Sequence, residues 1–509
     1  MFFFTVKKKR RLFFFALPML SKEVKNMESI WSKTADIPPH SPLPGDISAD
    51  AAVIGGGMAG ILTAYFLEQR GVETVVLEAD RIGSGQTKNT TAKITSQHDL
   101  IYHRLARDFG EEKAKQYADT NEQAVAEYRR IIMKKNIDCE FETRPAFLYS
   151  TRLEDVAELE MEALAAQKLG LRADYVEKTS LPFPVAGAVR FQSQAQFHPL
   201  KFLRAVAKDL TVFEQTRATD VKENDILTER GTVHAKHIVF ATHFPFLNMP
   251  GYYFARMHQE RSYVLALEHA PQPDGMYLGV DPDGLSFRSS GETLLLGGGG
   301  HRTGENWAGG KYEMLRKKAK EFYPESKEVA HWSAQDCMTL DGVPYIGRFS
   351  TSTPDWYVAT GFGKWGMTSS MVSAMLLSDM ISKKENLFAE VFSPQRFTPS
   401  ASVKAFLNDS GQAVKGLSRQ AFTLPKADID ALPRGHGGVV DCNGEKVGVY
   451  KDEQGKTFAV STRCPHLGCQ LEWNPDEKSW DCPCHGSRFD FRGRLIDNPA
   501  QTNLETGDA

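Results

Sequence analysis

Residues 51–54 form a short apolar run with no polar interruption, which predicts a strand buried on both faces. Gly55, Gly56, Gly57 and Gly60 follow, and residues 61–69 then carry apolar side chains at helical spacing. Gly71 ends that helix, and residues 74–77 predict a second buried strand. Residues 111–136 and 153–170 predict charged, amphipathic helices. Strands are predicted over 146–150, 238–242, 263–267, 294–296 and 356–360, and a helix runs from 367 to about 381. The four glycines 297–300 predict a turn. In the middle of the chain helices and strands do not alternate strictly, which predicts an inserted, mostly antiparallel domain. Residues 28–50, with Pro38, Pro39, Pro42 and Pro44, read as an extended lead-in, and the polar stretch 391–421 reads as a linker. Beyond it come short strands (447–450, 457–461) separated by turns, as in a small all-β domain over 422–509.

A length of 509 residues calls for two or three domains. Hydrophobic content of 41% and charged content of 25% are those of a globular protein, and a formal net charge of −3 gives no reason to expect a nucleic-acid partner. Of seven cysteines, Cys139, Cys337 and Cys442 are scattered and read as buried free thiols. That usage fits a cytoplasmic location better than a disulfide-built secreted scaffold. Residues 1–48 read as an N-terminal extension. In it a basic cluster (7–11) precedes an apolar run (12–20) too short to span a bilayer and without a small-x-small cleavage site. The favoured reading is a true start at Met19 or Met27, since nothing before Ile47 is needed by the first domain; peripheral membrane contact is the alternative.

Gly55-x-Gly57-x-x-Gly60 lies between a strand and a helix, the context in which glycines admit a pyrophosphate and the helix N-terminus offers free amides. Glu78 ends the second strand, where a carboxylate can bind ribose hydroxyls. The bland alternative is a glycine turn that only packs, and the pattern does not separate FAD from NAD.

Near the C-terminus stand Cys464-x-His466 and Cys482-x-x-His485, with fifteen residues between them. Two thiolates and two imidazoles on paired loops suit a Rieske [2Fe–2S] cluster, with cysteines on one iron and histidines on the other. Tetrahedral zinc takes the same ligand types, but it leaves the extra Cys469 and Cys484 poorly explained.

Residues 78–91, 197–200, 241–242, 341–347 and 359–367 resemble the D-amino-acid oxidase and glycine oxidase family of flavoproteins, over about residues 50–385. The resemblance implies a Rossmann-type α/β FAD-binding domain interleaved with an antiparallel-sheet substrate domain over 49–390. It also implies FAD contacts at Gly55, Gly57, Met58, Ala59, Gly60, Glu78, Ala79, Thr91, Gly361, Gly363 and Met367. The cysteine–histidine block resembles the Rieske proteins of the cytochrome bc and b6f complexes. That implies cluster ligands Cys464, His466, Cys482 and His485, a Cys469–Cys484 disulfide, and a covering proline loop at Asn498-Pro-Ala500. Ser487 keeps one hydroxyl expected near the sulfurs, whereas Phe489 stands where a tyrosine is expected. Fewer hydrogen bonds to sulfur imply a potential below the respiratory centres yet above about −150 mV.

Arg256, His258, Arg261, Tyr263, Arg288, His301, Arg302 and Lys364 are candidate substrate groups, with Arg302 and Lys364 retained as catalytic-site candidates. His198 is read as ordering a turn with Pro199, and His243 as packing; no general base is assignable. The expectation is a flavin-dependent oxidoreductase for a small amine or amino-acid-like substrate that relays electrons between FAD and the cluster, with an unidentified acceptor or donor. A redox sensor, and reverse flow from an external donor, are the alternatives. A Rieske oxygenase is not expected: the 24 residues after His485 are too few for its iron domain, and the upstream chain is taken by the flavoprotein pattern.

Overall fold

The computed structural model describes residues 27–396, 432–442 and 445–507. The N-terminal basic and apolar runs, Met19 and the linker from 397 onward lie outside the described residues. The apolar strand Ile47–Ile54 runs through an eight-stranded sheet, between Thr232–Phe240 and Thr74–Leu77. Both pairings are parallel, with Val53 opposite Val239 on one side and Val76 on the other. Parallel strands need cover on both faces, which is why residues 51–54 carry no polar side chain. Helix Met58–Glu68 packs against helix Gly366–Ile381. In the core the two helices share, Ile61, Leu62, Met371 and Leu377 are completely buried, each worth about 1.5–3 kcal/mol.

A nine-stranded, largely antiparallel sheet forms the inserted domain. Its edge is a ribbon of Lys327–Thr339 on Met257–Glu268, followed by Thr293–Arg302. Gly297–Gly300 are part of this last strand and form no turn. Gly297 is paired to Val264 on one side and Ser286 on the other, and this pairing overrides the weak strand preference of glycine.

The lead-in is also more than an extended tail. Ser29 caps a short helix, Ile30–Thr34, whose Trp31 is 1% exposed and donates from its indole to the Thr90 carbonyl at 2.7 Å. The expectation that the first domain needs nothing before Ile47 is therefore corrected. Likewise Val391 and Phe392, at the start of the stretch read as linker, are buried, and Arg396 pairs with Asp341 at 2.7 Å.

The C-terminal domain has two four-stranded antiparallel sheets. Tyr450, Trp473, Trp480 and Phe489 pack between them, together with the four cysteines of its loops.

Candidate functional site

A cavity of about 700 Å³ runs from the glycine turn to the antiparallel sheet. At the turn, Gly55 has φ +112°, and a Cβ there would lie 2.4 Å from the Ala241 carbonyl oxygen, so only glycine fits. Glu78 accepts from the Gly56 amide at 2.7 Å and the Asp80 amide at 2.8 Å. Burial pushes its pKa up against those two amides. Gly55, Gly57, Met58, Ala59, Glu78, Ala79, Thr91, Gly363 and Met367 all line the cavity. Gly60 and Gly361 do not. A Cβ on Gly60 would meet the Gly55 oxygen at 1.9 Å and one on Gly361 the Thr339 methyl at 2.3 Å, so both serve close packing.

At the far end Lys364 lines the cavity and pairs with Glu260 at 2.9 Å. Asp336 also lines it, and burial pushes its carboxyl up to about 6. Tyr263 lines the cavity too, whereas the other candidates lie elsewhere. Arg302 points away from the cavity and donates to the Pro483 carbonyl at 3.3 Å. Arg261 is 1% exposed and paired with Glu477 at 2.5 Å. Arg256 donates to the carbonyls of Pro394 and Gly251, and Arg288 to those of Thr91 and Ala92. His301 is held by Tyr263 and the Arg302 carbonyl. His258 sits 3.4 Å from Glu260. His198 caps the helix Pro199–Ala207. His243, read as packing, lines the cavity instead, as does the buried Cys337. Cys139 is buried as expected, whereas Cys442 is only partly covered.

The two cysteine loops are built alike. Each closes with a backbone bond, Gly468 N to Cys464 O at 2.9 Å and Gly486 N to Cys482 O at 3.0 Å. Cys469 and Cys484 form a disulfide that ties the loops together. The sulfurs of Cys469, Cys482 and Cys484 lie within 4.8 Å of one another, but two of the three are spent in that bond, which leaves Cys482 facing Cys464. Contact with the Cys482 thiol, aided by the His466 and Leu467 amides and the Ser487 hydroxyl, pulls the Cys464 thiol down to about 7. The rings of His466 and His485 stand perpendicular, 4.9 Å apart. Burial lowers the His466 pKa to about 4, so the ring is neutral. Its Nε2 lies 2.7 Å from Asn248 Oδ1, an oxygen that can only accept, so Nε2 carries the proton. Nδ1 is then the bare nitrogen, and it is buried with no hydrogen-bond partner. A thiol pair and an imidazole with a buried, unprotonated nitrogen fit a [2Fe–2S] cluster of Rieske type.

The C-terminal domain docks on the inserted sheet through the ribbon described above. In the strand Met257–Glu268, Gln259 and Arg261 alternate with Glu260 and Ser262, so they occupy opposite faces. Gln259 Nε2 donates to the His485 carbonyl at 2.6 Å, and Gln335 Nε2 to the Gly486 carbonyl at 2.8 Å. A Cβ on Gly486, at φ +81°, would lie 2.6 Å from Gln259 Cβ, so the loop presses its backbone directly on the strand. Asn498 of the proline loop donates to the Thr242 and Phe244 carbonyls at 2.8 and 2.7 Å. Leu495, Ile496, Asp497, Asn498 and Gln501 line the cavity itself. Glu477 closes the contact, with Arg261 on one side and Arg488 on the other.

Two family models match this chain: FAD dependent oxidoreductase over residues 50–380 and Rieske [2Fe-2S] domain over residues 423–507. A Rieske 2Fe-2S iron-sulfur protein of Bacillus subtilis, YhfW, is 37% identical over 93% of this chain and 96% of its own. Gamma-glutamylputrescine oxidoreductase of Escherichia coli is 23% identical over 67% of this chain and 86% of its own. Glycine oxidase from Geobacillus kaustophilus shares the fold, with a TM-score of 0.59 and 19% identity over 69% of this chain and 99% of that one. With the cavity, the paired cysteine loops and these matches together, the chain belongs to the FAD dependent oxidoreductase family, carries a C-terminal Rieske domain, and has FAD and a [2Fe–2S] cluster as its cofactors.

Proposed function

We propose that this protein oxidises a small amine or amino acid and relays the electrons across the domain contact to its iron–sulfur centre. In this reading the cavity-lining glycines, Glu78 and Met367 hold FAD, while Cys464 and Cys482 bind one iron and His466 and His485 the other. The flavin would supply two-electron oxidation of the substrate, and the cluster would supply one-electron transfer onward to an external acceptor.

The observation that carries the proposal is the ribbon. Ser262 and Asp336 face the cavity from the same two strands whose Gln259 and Gln335 hold the cluster loop. The proline loop of the cluster domain reaches the same cavity through Asn498, so the two sites adjoin both through the ribbon and through that loop. Gln335 also donates to Gln259 Oε1 at 2.6 Å, so the two buried amides lock each other and the loop backbone in place. Being neutral, they add no fixed charge between the centres. The amine chemistry is supported by the names of relatives and structural neighbours, which include a glycine oxidase, an L-proline dehydrogenase and a gamma-glutamylputrescine oxidoreductase. Anaerobic stopped-flow mixing with a panel of amines and amino acids tests it. Bleaching of the flavin band followed by that of the cluster is expected; a substrate that bleaches flavin and never the cluster refutes the relay.

A further inference from the structure

We propose that His243 contacts the bound FAD and that the cluster domain sets its pose, so that the flavin site is complete only with the cluster domain docked on it. The inference rests on FAD occupying the cavity and not on which substrate the flavin oxidises.

His243 follows the strand Thr232–Phe240 and lines the cavity. Burial lowers the pKa of its imidazole, so the ring is neutral at pH 7. Its Nε2 is buried and makes no hydrogen bond to any described residue. An imidazole nitrogen left unpaired in the interior is unfavourable, and a polar group of FAD in the cavity would satisfy it. Neighbouring polar side chains of the cavity are already committed. Gln86 donates to Asp497 Oδ1 at 2.9 Å and accepts from the Gln335 amide at 2.9 Å, while the Gln335 side chain serves Gly486.

The backbone at His243 is strained. Its φ is +68°, in the left-handed region, and the Phe244 amide donates to the Thr242 carbonyl at 2.8 Å, which closes a tight turn centred on His243. Turns of that hand are rare and persist only where the surroundings hold them. Here the carbonyls of Thr242 and Phe244 both accept from Nδ2 of Asn498, so the two amide hydrogens of Asn498 are spent on the two ends of the turn. The His243 carbonyl accepts from the Thr360 hydroxyl and from Cys337 Sγ at 3.4 Å. The clamp on both ends therefore comes from the other domain, and Asn498 is a positioning residue for His243. The strand end it holds abuts the dinucleotide glycines, since a Cβ on Gly55 would lie 2.4 Å from the Ala241 oxygen and 3.3 Å from the Thr242 nitrogen. Gln259, whose amide holds the carbonyls of His485 and Asn498, also acts on the His243 ring. A continuous set of contacts thus joins a cluster ligand to a ring in the flavin cavity.

The test is FAD affinity, read from the fluorescence of flavin released on serial dilution of the cluster-loaded holoprotein, with the visible band of bound flavin as a second readout. Glycine suits the left-handed turn, so His243→Gly removes the imidazole without unfolding the strand end. It should weaken FAD about tenfold and shift the band. Asn498→Ala should act in the same direction on both readouts. Added to His243→Gly it should cost less than about a further twofold, because Asn498 acts through His243. The cluster EPR signal reports whether the C-terminal domain of each variant is loaded; should Asn498→Ala lose it, Asn498→Ser takes its place. The proposal is overturned if His243→Gly holds FAD as wild type does, if the Asn498 variant does, or if the two losses multiply. Glu78→Ala keeps that failure apart from failure of the FAD placement. FAD weakened by Glu78→Ala but not by His243→Gly sinks the role of His243 alone, and FAD indifferent to every one of these variants sinks the placement as well.

Discussion

Glu477→Gln removes one charge from the centre of the domain contact. Arg261 is 1% exposed and Glu477 6%, and their heavy atoms are 2.5 Å apart. Ser333 adds a short hydroxyl bond to the same carboxylate. Arg488 sits 3.0 Å away, but it keeps Asp481 and Asp497 as partners, each at 3.0 Å. The substitution therefore strands one guanidinium, that of Arg261, against the uncharged acceptors Gln335 and Ser333. Breaking a buried pair from one side costs about 3–5 kcal/mol, and an amide that still accepts a hydrogen bond places this case near 3. That is roughly a hundredfold in the docking equilibrium. Replacing both partners, Arg261→Met with Glu477→Leu, leaves no stranded charge and should recover most of the loss. Urea titrations followed by visible circular dichroism of the cluster and by flavin fluorescence read the C-terminal domain and the FAD site separately. A cost below about 1 kcal/mol for Glu477→Gln would refute the view that this ion cluster clamps the domains.

Further outcomes follow from the same geometry. Burial raises the Glu477 carboxyl, and Arg261 and Arg488 more than offset that, holding it at about 2 against an ordinary 4.5. Its stabilisation is thus full above pH 4.5 and lost as pH falls toward 2, a dependence that should vanish from acid titrations of Glu477→Gln. Phe489, fully buried beside the cluster cysteines, should raise the cluster potential when changed to Tyr. One new hydrogen bond to sulfur, worth about 1 kcal/mol, corresponds to about 40 mV for one electron. Asn248→Asp should move it the other way, because an anionic acceptor on Nε2 makes His466 a stronger donor to iron. Protein-film voltammetry of the two variants checks both signs. Trp31→Ala should cost about 3–5 kcal/mol in thermal or urea unfolding, and a near-neutral result contradicts the packed role of the lead-in.

Local elements were legible wherever one periodicity dominated. Residues 74–77 are a strand to the residue, and the charged helix at 111–136 ends within one residue of its predicted bound, because buried runs and amphipathic stripes need no distant partner to be recognised. The glycines at 297–300 misled because pairing across two neighbouring strands, invisible in a local window, decides their conformation. The arginines misled for a related reason. A guanidinium is visible in the sequence, but the carboxylate that occupies Arg261 lies 216 residues away. A signal was nevertheless present: Met257, Gln259, Arg261 and Tyr263 share one face of a strand, and two polar groups in an otherwise apolar phase mark a face covered by another domain. His243 and Asp336 carried no such signal, since nothing in a linear reading shows that they face a cavity.

The ribbon strand is read by two clients at once. One face is specified by the flavin cavity and the other by the cluster loops, and the alternation that separates them has a period of two residues. A one-residue slip would set Glu260 where Arg261 now meets Glu477, carboxylate against carboxylate, and turn the Gln259 amide into the cavity. Point substitutions in this strand injure one client; an insertion or deletion injures both. Contact between the two domains thereby makes the length of Met257–Glu268 a constraint shared by both sites.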